Sequence, residues 1–335
     1  MKGILCFLVT LILLTTIRVS FAQTTQIRGF ADVLTRYDGD KVSFGFDEQD
    51  LFITSTISDR ISFLGETVFK YDPNSATEFS ISVERLIINY NLVGNHNIIM
   101  GKIHTPVNYW NDTYHHGRVF YPTIDRPLLF AANIIPIHTA GVGIQANYLG
   151  NANFGYDFFV GNGIGSDEIK DNDSYKSITA AIHIRPADRL KMGVSWYNDV
   201  ISAGAHLHDG SQVLKRVNQN LFTGSISRFG KKFEFLVEST AGFNKTDSTG
   251  TKTTMATYAY AGVKLSEKVI PYVRYDNLHY QEGELYYHKN NSQSYVMGIR
   301  YEFNYLAVVK LEYQFQQSEL KKDVNMVTAQ FAVGF

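Results

Sequence analysis

Val324-Asn325-Met326-Val327-Thr328-Ala329-Gln330-Phe331-Ala332-Val333-Gly334-Phe335 is the stretch that decides the fold. In an extended strand, successive side chains point to opposite faces. Met326, Thr328, Gln330, Ala332 and Gly334 therefore share one face, and Val327, Ala329, Phe331, Val333 and Phe335 the other. A face that is apolar throughout, backed by one that carries polar groups, is the pattern of a strand wet on one side only.

The same alternation recurs upstream. Ile27, Gly29, Ala31 and Val33 oppose Arg28, Phe30, Asp32 and Leu34; Ile61, Phe63, Gly65, Thr67, Phe69 and Tyr71 oppose Glu66 and Lys70. Phe154 to Val160 opposes Asp157, Ile178 to Ile184 opposes His183 and Arg185, and Leu190 to Trp196 opposes Lys191. Phe233, Phe235 and Val237 oppose Glu234 and Glu238, while Ala307 to Phe315 opposes Lys310, Glu312, Gln314 and Gln316. Apolar residues seldom cluster at helical spacing. A closed all-β barrel with lipid outside and water inside produces this pattern, and its charges point into the lumen.

Sixteen strands are expected, starting near residues 26, 43, 61, 78, 98, 139, 153, 175, 190, 214, 232, 255, 269, 293, 306 and 324. Alternate connections are short: 58 to 60, 93 to 97, 149 to 152, 186 to 189, 228 to 231, 266 to 268 and 303 to 305. The others are mostly longer and more polar, including 161 to 174, 199 to 212, 243 to 253 and 277 to 291. An even strand count with two classes of connection is the arrangement of a transmembrane antiparallel barrel whose termini share one side. Glu84 and Arg85 are neighbours within Phe79 to Tyr90 and cannot both face inward on a regular strand. Either a bulge places Phe79, Ile81, Val83, Leu86, Ile88 and Tyr90 on the lipid side, or Arg85 meets a neighbouring subunit.

At the other end, Lys2 precedes an apolar run from Ile4 to Leu14, and Ser20-Phe21-Ala22 supplies a small-x-small cleavage site. Residues 1 to 22 read as a cleaved secretory signal, with 23 to 335 as the barrel domain. The run is shorter than the ~20 residues of a spanning helix. Cys6, the only cysteine, leaves with that signal, which excludes a disulfide, a thiol nucleophile and a cysteine metal site. Removing Lys2 and Arg18 leaves 29 basic against 32 acidic residues, a net charge of -3 that gives no nucleic-acid footprint.

A strand ending on a C-terminal Phe resembles the terminal signal of Gram-negative outer-membrane proteins. That resemblance implies the cell outer membrane as location, membrane lipid and lipopolysaccharide as surroundings, and recognition of Phe335 by the barrel-assembly machinery. The connection 105 to 138 is too long for a hairpin. It holds Pro106, Pro122, Pro127 and Pro136, four of the seven prolines, with Trp110 and the run Tyr114-His115-His116-Gly117-Arg118. The topology, the terminal Phe and this long third loop resemble sixteen-stranded bacterial porins, in which that loop folds into the lumen. The text from Gly101 through Trp110 to His115-His116-Gly117 and Thr123-Ile124-Asp125-Arg126-Pro127 is similar to a group of uncharacterised porin-like proteins, distantly similar to phosphate-selective porins. The resemblance to porins implies a homotrimer as one assembly, beside a monomer.

If the loop folds inward, Lys102, His104, Asp112, His115, His116, Arg118, Asp125, Arg126 and His138 are the constriction candidates, since focused charge in a narrow pore sets selectivity. The alternative is that these charges pair to hold the loop to the wall. Arg28, Lys70, Arg185, Arg274 and Arg300 would form a cationic lumen ladder against Asp32, Glu66, Glu234, Glu238 and Glu302. Opposing ladders favour general diffusion of small hydrophilic solutes over anion or phosphate selectivity. A closed barrel that binds ligands through loop tyrosines such as Tyr280, Tyr286 and Tyr287 is the third reading. Four of ten histidines lie between 104 and 138, but adjacent His115 and His116 project apart on an extended chain and no HExxH-like helix occurs. Neither a nucleophile elbow, a dinucleotide fingerprint nor a P-loop is present, so no enzyme, cofactor or metal is expected.

Overall fold

The computed structural model describes residues 24–72, 75–114, 117–164, 171, 173–206, 212–287 and 290–335. The expected signal, His115 and His116 lie outside the described residues. Sixteen strands form one closed antiparallel barrel in which each pairs with its sequence neighbours and the first pairs with the last. They are β1 Thr24–Tyr37, β2 Val42–Thr56, β3 Ile61–Tyr71, β4 Phe79–Val93, β5 His96–His104, β6 His138–Leu149, β7 Phe154–Gly161 and β8 Ser177–Ala187. The second half comprises β9 Leu190–Ile201, β10 Val217–Phe229, β11 Phe233–Thr246, β12 Gly250–Val263, β13 Val269–Tyr280, β14 Ser292–Asn304, β15 Ala307–Ser318 and β16 Val324–Gly334.

Closure leaves no unpaired sheet edge, which a bilayer without hydrogen-bonding partners requires. Phe335 and Gly29 exchange two backbone hydrogen bonds, of 2.9 and 2.8 Å, at this seam. The terminal strand divides as its pattern dictates: Thr328, Gln330 and Ala332 are 3%, 2% and 1% exposed, against 40% for Val327 and 44% for Phe331. The exposed large side chains of the other strands form an apolar exterior suited to lipid.

The strand β4 irregularity is a bulge. Glu66 pairs with Arg85 and Thr67 with Val83, so Glu84 is the extra residue, and Phe79, Ile81, Val83, Leu86 and Ile88 are exposed on the outer face. Two expected loops are shorter than the polarity of the sequence suggests. Asn244, Lys245 and Thr246 pair with Lys252, Thr251 and Gly250, so the 243–253 loop is a hairpin turned at residues 247–249. Gly250 takes φ +68°, the left-handed turn conformation that glycine adopts without cost. Residues 277–280 likewise belong to β13, which confines that loop to 281–291.

Candidate functional site

The connection from β5 to β6 is ordered by its own sequence. It carries helix α1 (Tyr109–Tyr114), a 3-10 turn (Arg118–Phe120) and helix α2 (Leu128–Ala131). Gly117 enters the 3-10 turn at φ +80°, and Pro127, with φ fixed near -54°, starts α2. Trp110, Tyr121, Ile124 and Ile134 are fully buried. The Trp110 ring meets Tyr114, Tyr121 and Tyr258 edge-on at centroid distances of 5.3, 5.5 and 5.9 Å, the geometry favoured by the aromatic quadrupole. Tyr258 belongs to β12, so the loop packs directly on the inner wall.

Three wall carboxylates on alternate strands receive backbone N–H groups of the loop. Glu238 of β11 accepts from Tyr109 at 2.5 Å and Trp110 at 3.1 Å, Asp276 of β13 from Leu128 at 3.1 Å, and Glu312 of β15 from Ile124 at 2.6 Å. Tyr109, Trp110 and Leu128 open α1 and α2, where orphan N–H groups need acceptors and negative charge is favoured. Wall cations hold the carbonyls. Arg274 donates to Thr123 Oγ1 at 2.5 Å and to the Asp125 carbonyl at 2.6 Å, Arg300 to the Pro122 carbonyl at 3.2 Å, and Lys310 to the Arg118 and Thr123 carbonyls at 2.7 and 3.1 Å.

The wall charges also satisfy one another. Arg300 forks onto Glu234 at 2.9 and 3.1 Å and reaches Glu302 at 2.8 Å; Arg274 meets Asp276 at 2.9 Å; Tyr272 donates to Glu312 at 2.6 Å. Tyr258 donates to Glu238 in the same way. Thus Glu234, Glu238, Arg274, Arg300 and Glu302, expected as lumen charges, sit in a network that binds the loop, rather than in free opposing ladders.

A second cluster ties the loop to β1 and β2. Arg36 grips Asp125 with two 2.8 Å hydrogen bonds, Arg118 lies 3.6 Å from Glu48 and 3.9 Å from both Asp32 and Asp125, and Arg126 lies 4.0 Å from Glu48. Burial alone would raise the Asp125 pKa; the Arg36 hydrogen bonds and charge, with Arg118 and Arg274, hold it below the ordinary carboxylate value. Burial pushes the Tyr121 phenol up to about 12. The Arg126 pKa is raised despite burial, by Tyr121 and Glu48. Arg36 was missed in the sequence because nothing in β1 marks it as a partner of a residue 89 positions away.

The remaining candidates are dispersed. Asp112 pairs with Lys191 of β9 at 3.0 Å. The His104 and His138 rings lie 5.3 Å apart where β5 and β6 end, and His138 Nε2 reaches Glu84 at 2.9 Å. Lys102 is a correction: it pairs in register with Leu86 of the outer face and donates to the Val83 carbonyl at 2.6 Å, so it falls outside the constriction set. Arg85 pairs with Glu66, Lys70 lies 3.9 Å from Glu48, Arg28 bonds Gln26 at 3.1 Å, and Arg185 stacks over Tyr148 at 4.6 Å. Among the described residues, no group of three or more His, Asp or Glu is arranged to hold a metal ion. Tyr286 and Tyr287 are buried, and Tyr287 donates to the Ile134 carbonyl at 2.9 Å, so they pack the loop instead of presenting a surface.

The bonds above run from the loop to β9, β11, β13, β14, β15, β1 and β2. Along β3 to β7, and reaching Thr24 and Gln26 of β1 and Thr54 to Thr56 of β2, a cavity of about 540 Å³ separates the wall from Pro106 and Asp112 of the loop.

No family model matches the chain, and no curated protein matches it in sequence. Solved structures do match in fold. The trimer form of OmpT, an outer-membrane protein of Vibrio cholerae, superposes with a TM-score of 0.67 at 13% identity, over 94% of this chain and 100% of that one. An anion-selective porin from Comamonas acidovorans gives 0.67 at 9% identity, over 93% and 100%. The outer-membrane channel DcaP of Acinetobacter baumannii gives 0.61 at 12% identity, over 94% and 98%. The fold is that of the sixteen-stranded outer-membrane porins.

Proposed function

We propose that the chain is a passive outer-membrane channel for small hydrophilic solutes and ions, its lumen narrowed by residues 105–137. The observation that carries this reading is incomplete filling: the loop is bonded to the β11 to β15 wall yet leaves a cavity of about 540 Å³ along β3 to β7 and one of about 640 Å³ beside Tyr109 and Thr113 at β8 to β10. Asp112 and His104 border that cavity and are assigned to the constriction, whereas Arg118, Asp125 and Arg126 are assigned to holding the loop. General diffusion is favoured over anion or phosphate selectivity because Arg274, Arg300 and Lys310 are committed to loop carbonyls. A non-enzymatic role fits the same arrangement, in which the buried carboxylates receive structural hydrogen bonds.

The cleaved signal 1 to 22, the surrounding lipopolysaccharide, the handling of Phe335 by assembly machinery and a homotrimer belong to this proposal. Planar-bilayer conductance of the folded barrel tests it, with a salt gradient and then added phosphate, sugars or dicarboxylates. Stable steps that phosphate does not block are expected. No conductance from a demonstrably folded barrel would overturn the channel reading, and block by phosphate alone would replace it with a selective one.

A further inference from the structure

The inner wall beside the open cavity is not uniformly polar. Leu64 pairs with Ile87, and Ile99 with Asn89 and with Gly143, which pairs with Phe159. Leu64 and Ile87 stand two residues from the paired Glu66 and Arg85 of the inner face, which places this whole row inside the barrel. All four apolar residues border the cavity. Gly143 makes room for the row: a Cβ there would meet Phe159 Cδ2 at 2.3 Å and the Phe158 carbonyl at 2.5 Å, so only glycine allows this close approach of β7 to β6. A lumen that held only water would favour polar groups at these positions, as it has them elsewhere on the inner face.

Carboxylates border the same cavity: Asp112 on the loop and Asp157 on β7. The nearby cations are already committed. Arg85 is bonded to Glu66 and Lys191 to Asp112, while Asp157 forms no salt bridge among the described residues. Asp157 thus offers a carboxylate without an ion pair, and Asp112, half exposed beside Lys191, a second acceptor, next to an aliphatic and aromatic strip.

We propose that this cavity is a station for small organic cations with an apolar body, of the arylalkyl ammonium class, the body lying on Leu64, Ile87, Ile99 and Phe159 and the ammonium group held at Asp157 and Asp112. Pockets of this kind take affinity from the apolar wall and orientation from a few polar groups. Charge alone would pass any small cation, and the strip alone would accept an anion as readily; together they select one class. This inference rests on the channel reading of the same lumen.

Phenethylammonium, ethanolammonium and phenylacetate serve as probes, with current block recorded in planar bilayers and binding measured by titration calorimetry on the detergent-folded barrel. Phenethylammonium should block and bind at concentrations about tenfold lower than either of the others, the size of discrimination that an apolar pocket provides. Ile99→Ser should abolish the preference over ethanolammonium, and Asp157→Asn the preference over phenylacetate, each in a barrel whose folding is checked by heat-modifiable migration. Should either variant misfold, Ile87→Ser or Asp112→Asn replaces it. Equal block by the three probes, or variants that keep both preferences, overturns the inference while leaving the channel standing. A barrel that conducts nothing but still binds phenethylammonium selectively would overturn the channel and keep the station.

Discussion

Two halves of one inner wall behave differently although both are built from the same alternation. On β9 to β15, the inward charges are spent on the loop: Glu238, Asp276 and Glu312 take its N–H groups, and Arg274, Arg300 and Lys310 take its carbonyls. On β3 to β7, the inward side chains border an open cavity and include an apolar strip. Lipid enforces period two on the outside of both halves, so alternation reports which face a residue is on. What the inner residue meets depends on where one long loop rests.

The comparison breaks first at Trp110, whose ring is the centre of the loop's packing against β12. Trp110→Ala should cost about 3–5 kcal/mol in urea unfolding from lipid vesicles, and released loop segments should make the current noisy. Next, Glu312→Ala leaves the buried Ile124 N–H and Tyr272 hydroxyl without their acceptor, at a cost of about 1–3 kcal/mol. Asn89→Ala on the open half should stay within about 0.5 kcal/mol. Equal costs for Glu312 and Asn89 in the same unfolding assay would erase the distinction between the halves.

Acid should loosen the second anchor. The folded pKa of Asp125 is lowered, so its contribution is present above its unfolded pKa and is lost as pH falls through the folded value. Its share of the stability, read by urea unfolding, should therefore be steady from neutrality to about pH 4, the unperturbed aspartate range, and fall only in more acid solution. Arg36→Gln removes the first stabilising partner and should move that change to higher pH. An Arg36→Gln profile identical to that of the unaltered protein would contradict the assignment. The smallest effect is expected for Lys102→Ala, on the outer face, which should leave the reversal potential in a salt gradient unchanged.

Strand positions were legible because the membrane imposes a local rule on each segment. β12 departs furthest, starting at Gly250 instead of near 255, because a hairpin that extends beyond lipid owes nothing to apolar alternation. The Glu84-Arg85 neighbours announced a bulge because alternation failed there in a single step. The loop's partners were not legible: Trp110 and Glu238 are 128 positions apart and Ile124 and Glu312 are 188 apart, with no local pattern linking them. For the same reason, the sequence around Arg118 and Arg126 suits lining a pore and anchoring equally; Glu48 beside both, and Asp32 beside Arg118, come from strands β2 and β1 far away in the chain.

Thiol labelling during conductance reads the two halves directly, since the chain's only cysteine is Cys6. Asn89→Cys lies on the cavity side and Ser294→Cys at a fully buried position of β14 behind the loop. Added trimethylammonium-ethyl methanethiosulfonate should lower the current through the Asn89→Cys barrel in discrete steps and leave the Ser294→Cys barrel untouched. Block at Ser294 with none at Asn89 would put the path on the side where the loop is docked and contradict the account.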